Sequence, residues 1–269
     1  MPNTISIAGN IGSGKSSVAR RIAETTGLPF VSTGALFREL AARRGMTVLE
    51  LNQRAETDRS IDDEVDGHLR RLSESGDSAV IDSRMAWHFV PRSFKVYLVV
   101  DPRVAVARVY GAVRADERYE TVDEAADDVL ARQQVEAERY LDLYGVHVDD
   151  WRNYDLVVDT SRAGIARVAD LAVSQLREGG RETRPVCHLD PSRLIPATPE
   201  RPSGPVRVAV VDGDGVVVTG HAIVRDALER GDALLESELA AFGPEEIASL
   251  ADGAAVLRAF RERPRWDDV

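Results

Sequence analysis

Gly9-Asn-Ile-Gly-Ser-Gly-Lys15-Ser16 decides how this chain is read. The spacing is G-x-x-x-x-G-K-S, and its surroundings are those the motif needs. Ahead of it, Thr4-Ile-Ser-Ile-Ala8 is a short apolar run bounded by glycine, which predicts a buried strand. Behind it, Val18, Ala19, Ile22 and Ala23 recur at helical spacing and predict a helix from Gly14 to about Thr26. A glycine-rich turn between strand and helix can curl until successive N–H groups point inward, and the helix adds its unpaired first-turn N–H groups and positive dipole end. Such a cradle takes phosphate. Gly9, Asn10, Ile11, Gly12, Ser13, Gly14, Lys15, Ser16 and Ser17 are therefore the candidate nucleotide-binding residues. Lys15 is placed to reach the β- and γ-phosphates, and the Ser16 hydroxyl to ligate Mg²⁺. Of 34 basic residues only Lys15 and Lys95 are lysine, so lysine here departs from the chain's own habit. The loop implies ATP or GTP with Mg²⁺ and leaves the reaction open.

Working outward, short apolar runs alternate with helical patterns. Pro29–Ser32, Ala79–Asp82, Phe94–Val100 and Asp155–Asp159 read as four more strands. Ser60 and Thr121 each stand three residues before an acid and predict helix N-caps; Asp101-Pro102 opens another helix. This alternation predicts an α/β architecture of the P-loop NTPase type, a five-stranded parallel sheet with helices on both faces, over residues 1–178. Residues 179–205 are rich in Pro and Gly and read as a linker. Residues 206–269 read as a small α+β domain. In it a hairpin turns at Asp212-Gly-Asp-Gly215, a helix runs from His221 to Arg230, an apolar stretch surrounds Leu234, and one or two short helices end near Arg263.

Composition excludes several classes. The net charge of -11 argues against nucleic acid as the main partner. One cysteine, Cys187, rules out an internal disulfide and a cysteine zinc cluster. No apolar run reaches the length of a membrane span, and the start of the chain has no basic-then-apolar leader, so a cytoplasmic location is expected. Oligomeric state has no signal.

The expected partner is a small-molecule phosphate acceptor, and a kinase holds that acceptor with cations away from water. Ser32-Thr-Gly-Ala-Leu-Phe-Arg38 ends the second strand, and Ser32, Thr33, Gly34 and Arg38 are candidate substrate-binding residues. Asp82-Ser-Arg84 ends the third. Asp82 is a candidate metal and substrate residue, and Arg84 a candidate for gripping phosphate bidentately. Carboxyl ends of parallel strands share one edge, so both segments should meet the phosphate loop. Arg108, Arg114 and Arg118 surround one helix end. Arg132 and Arg139 share a face of the next helix. Arginines so placed suit a lid that balances charge on the transferred group, and flanking Glu136 they equally suit surface ion pairs. Trp87 after Arg84 reads either as a base contact or as core.

Together these segments resemble the cytidylate-kinase family, its short archaeal-type branch. The likeness runs through the phosphate loop, Ser32-Thr-Gly-Ala-Leu-Phe-Arg-Glu-Leu-Ala41, Gly45-Met-Thr-Val-Leu-Glu-Leu-Asn52, Ser60-Ile-Asp-Asp-Glu64, Val80-Ile-Asp-Ser-Arg-Met-Ala86 and Tyr154-Asp-Leu-Val-Val-Asp-Thr-Ser161. It spans about residues 3–178. The resemblance implies ATP- and Mg²⁺-dependent phosphorylation of CMP or dCMP. Arg38 and Arg84 would hold the acceptor phosphate, and Arg114, Arg132 and Arg139 would be lid arginines. Ser83 stands where the family has glycine, and residues 111–120 are more acidic than a typical lid; both suggest a modified pyrimidine nucleotide, or another small phosphate, as acceptor. His188-Leu-Asp-Pro-Ser-Arg-Leu-Ile-Pro196 and Val208 to His221 are weakly similar to the ParB-type fold, with the first phosphate arginine missing before Arg225. That favours a packing or regulatory role for the segment. A kinase of a non-nucleotide metabolite and a nucleotide-sensing module stay open as alternatives. A GTPase does not, since the guanine-reading Asn-Lys-x-Asp is absent.

Overall fold

A computed structural model describes residues 4–55, 57–112, 119–178, 185–201 and 203–268. In chain order the elements are β1 (Ile5–Gly9), α1 (Lys15–Thr26), β2 (Phe30–Ser32), α2 (Thr33–Arg43), α3 (Val48–Ala55), α4 (Ser60–Ser75), β3 (Val80–Asp82), α5 (Ala86–Phe89), β4 (Phe94–Val99), α6 (Pro102–Tyr110), α7 (Val122–Tyr144), β5 (Leu156–Asp159), α8 (Ile165–Glu178), β6 (Val186–Leu189), β7 (Ile195–Pro196), β8 (Arg207–Val211), β9 (Asp214–Thr219), α9 (His221–Arg230), β10 (Leu235–Phe242), α10 (Gly243–Ala248) and α11 (Gly253–Glu262). The class is α/β, a mixed sheet with helices on both faces. The chain forms two compact units, Met1–Gly9 with Gly14–Val96 and Ile165–Gly179, and Asn10–Ser13 with Tyr97–Gly164 and Gly180–Val269.

In the first unit the strand order is β2-β3-β1, all parallel. The register sets Ser32 beside Asp82 and Ile7 beside Asp82, so the ends of three strands meet at one edge. Ile5, Ile7 and Ile81 are fully buried, each contributing about 2 kcal/mol by leaving water. Helix α1 buries Val18, Ala19, Ile22 and Ala23, and packs against α8, which buries Val168, Ala169, Ala172 and Val173. Ser60 lies inside α4 rather than capping it. Asp58 Oδ1 accepts from the Ser60 N–H at 3.1 Å and from its hydroxyl at 2.7 Å, an Asx turn two residues upstream that does the work expected of Ser60.

The second unit takes β4 from Tyr97 onward and continues β5-β6-β10-β8-β9-β7. Helix α6 starts on Asp101, whose Oδ1 accepts from the Arg103 N–H at 2.8 Å, with Pro102 in its first turn. Thr121 caps α7 by accepting from the Glu124 N–H at 3.1 Å. Beyond β5 the structure departs from a five-stranded parallel sheet. β6, inside the stretch read as a linker, pairs in parallel with β5, Leu156 opposite Val186. β10 runs antiparallel to β6, and β8 parallel to β10. β6 is hidden in the sequence because its four residues sit between Pro185 and Asp190-Pro191, which bound the strand without interrupting its ladder. The β8–β9 hairpin turns through Asp212 and Gly213 with φ of 49° and 84°. Ion pairs knit residues 185–268 to residues 97–164, Arg152 with Glu246 at 3.4 Å among them. Arg193 Nη1 donates to Asp159 Oδ2, and its Nε lies 3.7 Å from Asp101 Oδ2. Reciprocally, Arg162 donates to Asp190 Oδ1 at 3.2 Å and to the carbonyls of Gly231 and Asp232 at 3.0 and 3.2 Å. Among the described residues no helix is long and apolar enough to cross a membrane.

Candidate functional site

The phosphate loop uses three glycines at φ of 145° (Gly9), 76° (Gly12) and 82° (Gly14), values that let the backbone curl as the sequence requires. The Asn10 N–H donates to Leu98 O at 3.0 Å, and the Ser13 N–H to Asn10 O at 3.3 Å. A Cβ on Gly12 would stand 2.7 Å from Ala105 Cα and 2.8 Å from Ala105 O, so this position admits no side chain. Ile11 packs with Val109 and Val129, which seats the loop against α6 and α7. Arg108 braces the same loop. It donates to Gly12 O at 3.2 Å, Thr160 O at 2.6 Å and Thr160 Oγ1 at 3.3 Å. The sequence groups Arg108 with the lid; the structure spends its guanidinium on backbone carbonyls instead, a role with no local signature.

Gly14 is the N-cap of α1, and no side chain caps that end. Lys15 and Ser16 form the first turn of the helix. The Ser16 hydroxyl donates to Asp82 Oδ2 at 2.6 Å. The Ser32 hydroxyl reaches the same oxygen at 3.4 Å, and the Thr33 hydroxyl donates to Asp82 O at 3.4 Å. Ser32 also caps α2, accepting from the Ala35 N–H at 3.3 Å. Three predicted segments therefore converge on the buried Asp82. Arg38 lies beside them: a Cβ on Gly34 would be 3.6 Å from Arg38 Nη1 and 3.7 Å from Ser32 Oγ. Arg38 is exposed and makes no ion pair among the described residues, leaving its cation available to an anion. Arg84 Nη1 donates to Gly9 O at 3.4 Å, next to the start of the loop. Ser83, the departure from glycine, is buried, and its hydroxyl accepts from the Met85 N–H at 3.2 Å. Its side chain is folded onto its own backbone. Trp87 is buried, in edge contact with His88 at 5.6 Å, and reads as core. Burial, with the nearby Arg70 charge, pushes the His88 imidazole below its usual value.

These residues fit ATP and Mg²⁺. The glycines give the loop the left-handed backbone that turns its N–H groups toward a phosphate, and Ser16 with Asp82 offers a hydroxyl and a carboxylate. Ser16 and Asp82 would hold the ion, with phosphate and water completing its shell. The Ser13 hydroxyl is buried with no hydrogen-bond partner among the described residues, one more donor near the cradle.

On α7, Arg132 lies 3.4 Å from Asp128 Oδ2, four residues back, and Asp128 also accepts from the Tyr119 hydroxyl at 2.6 Å. Arg139 is seven residues further along the helix. Arg114 and Arg118, with most of the acidic lid stretch, lie outside the described residues. In the C-terminal segment the phosphate-type motif is absorbed by packing. His221 is fully buried at the start of α9, with its ring nitrogens 3.1 Å from the carbonyls of Arg201 and Ala197. Arg225 donates to Glu200 and lies over the Trp266 ring. Cys187 is fully buried, which pushes its thiol up to about 12.

A family model described as the cytidylate kinase-like family matches residues 4–162. The cytidylate kinase of Methanothermobacter thermautotrophicus is 36% identical over 158 residues, 59% of this chain and 95% of that one. The cytidylate kinase of Natronomonas pharaonis is 38% identical over 175 residues, 63% of this chain and 88% of its own. Among solved structures, an uncharacterized protein of Eubacterium ventriosum aligns with a TM-score of 0.50 at 19% identity, covering 65% of this chain and 98% of its own, a likeness of fold. Residues 163–269 lie beyond the family match.

Proposed function

The chain belongs to the cytidylate kinase-like family and is a nucleoside monophosphate kinase, and from that premise we propose that it transfers the γ-phosphoryl group of ATP, with Mg²⁺, to CMP, dCMP or a modified pyrimidine monophosphate. The observation that carries the proposal is the shared carboxylate. Ser16 of the phosphate loop and Ser32 of the acceptor segment both point at Asp82, so donor and acceptor segments are registered on one residue.

In this reading Lys15 and the first-turn N–H groups of α1 hold the ATP phosphates. Ser16 and Asp82 would hold Mg²⁺, which when bound offsets charge on the transferring phosphoryl group. Arg38 and Arg84 align the acceptor phosphate for in-line attack. A phosphate acceptor carries its own nucleophilic oxygen, so arginines rather than a general base are what the site requires. Arg132, Arg139 and Arg114 would balance charge on the transferred group. With Asp82 committed to Mg²⁺, the acceptor side of this set is cationic, which favours a phosphate over an alcohol acceptor.

The test is ADP release with ATP, Mg²⁺ and a panel of CMP, dCMP, UMP, AMP and GMP. Selective stimulation by the cytidine nucleotides supports the proposal, and stimulation by purine nucleotides instead overturns the base assignment. Lys15→Ala should abolish turnover. Arg84→Ala should raise the acceptor KM; full activity in either variant refutes the assigned roles.

A further inference from the structure

A cavity of about 970 Å³ lies wholly inside the second unit, at the upper end of the volumes that hold small organic ligands. One wall belongs to α6 and α7, where Val122 and Leu130 are 51% and 60% exposed, large aliphatic surfaces facing open space. The opposite wall is the β8–β9 turn and the start of α10, from residues outside the family match. Between them Trp151 and Phe242 form an aromatic corner, ring centroids 6.3 Å apart. The cavity is thus built jointly by the matched and the added sequence.

Its charge is lopsided. Six carboxylates and three arginines line it. Arg152 is committed to Asp150 and Glu246, Arg193 to Asp159 and Asp101, and Asp214 is neutralised by Arg263. That leaves Asp149, Asp212 and Glu245 against Arg103 alone, none of the four in an ion pair among the described residues. Apolar walls, an aromatic corner and surplus negative charge describe a receptor for a molecule with a flat apolar body and a positive end. Asn10 of the phosphate loop also lines the cavity, its side-chain amide donating to the Tyr97 hydroxyl at 3.4 Å.

We propose that this cavity binds a small amphipathic amine, and that its occupancy is felt at the phosphate loop through Asn10 and Tyr97. None of the acceptor residues lines the cavity, and the amine is an effector rather than a substrate.

The probes are three indoles of common body and different charge: tryptamine, tryptophol and indole-3-propionate, titrated calorimetrically into the full chain without nucleotide. Because no turnover is measured, the result does not depend on which nucleotide the enzyme phosphorylates. Saturable binding in the order amine, alcohol, acid supports the site. No binding of tryptamine, or equal binding of all three, overturns it. The double variant Asp212→Asn/Glu245→Gln should weaken tryptamine about five-fold, the size expected for two partly exposed charges. Asn at 212 tolerates the left-handed backbone there. Ala126→Phe, which fills the cavity from α7, should abolish binding while the protein still melts cooperatively. Retained tryptamine affinity in both variants places the ligand elsewhere and refutes the assignment. With the amine saturating, the calorimetric dissociation constant for ATP should shift about five-fold; an unchanged constant refutes the coupling through Asn10.

Discussion

Gly12→Ala and Gly14→Ala form a matched pair whose difference can be worked from the structure. Both glycines have left-handed backbone, φ 76° and 82°, so each substitution carries the same backbone strain, about 1–2 kcal/mol for a residue with a Cβ. They differ in surroundings. Around Gly14 a Cβ would meet nothing within 4 Å, whereas at Gly12 it would press on Ala105 Cα at 2.7 Å, Cβ at 2.8 Å and O at 2.8 Å. Forcing a methyl into packed backbone costs a further 1–3 kcal/mol, roughly. Gly12→Ala should therefore lower the melting temperature by about 2–12 °C more than Gly14→Ala, taking about 2–4 °C per kcal/mol. The assay is thermal unfolding of the two variants under one buffer and scan rate. Adding Ala105→Gly to Gly12→Ala should rescue little, because two of the three obstructing atoms are backbone. Equal melting temperatures, or full rescue by Ala105→Gly, would refute the steric argument.

Other outcomes follow from single contacts. Arg108→Ala removes the brace on Gly12 and Thr160 and should raise the KM for ATP about ten-fold, with a smaller change in the acceptor KM; steady-state kinetics with each substrate varied will separate the two, and an acceptor-only effect refutes the brace. Arg193→Ala leaves the buried Asp159 without its cation and should destabilise by about 3 kcal/mol, whereas Arg193→Ala with Asp159→Asn should lose less; urea midpoints compare them. Cys187 should resist thiol reagents in the folded protein at pH 8 and react once the protein is unfolded. Its thiol sits at about 12 folded against 9.0 unfolded. The folded state therefore keeps a proton that the unfolded chain releases, and stability falls as pH rises through that interval. Urea midpoints measured across it should decline, and Cys187→Ala should flatten the decline.

The strands nearest the site were legible because each is a short apolar run, three of the four stopped by glycine or an acid. Ile5–Gly9, Phe30–Ser32, Val80–Asp82 and Leu156–Asp159 fall within a residue or two of their sequence reading. Helix α9 starts and ends where Gly220 and Gly231 say it must. The meeting of Ser16, Ser32 and Asp82 was legible too, since parallel strands present their carboxyl ends on one edge. β10 was not: Leu-Glu-Ser-Glu-Leu-Ala-Ala-Phe is made of helix-favouring residues, and only pairing with β6 and β8 makes it a strand. Arg108 and Arg193 were illegible for a different reason. Their partners are 52 and 34 residues away, and no local pattern announces a contact set by the fold.

Arg193 also bears on the chain's history. Asp159 is 2% exposed at the end of a strand inside the family match, and its counter-ion arrives from sequence beyond that match. A chain without the extension would have an uncovered β5 edge and an Asp159 without its arginine at the same stroke. The ion pair thus predicts relatives carrying the extension that vary it freely around Arg193 while keeping Arg193 and Asp159 together.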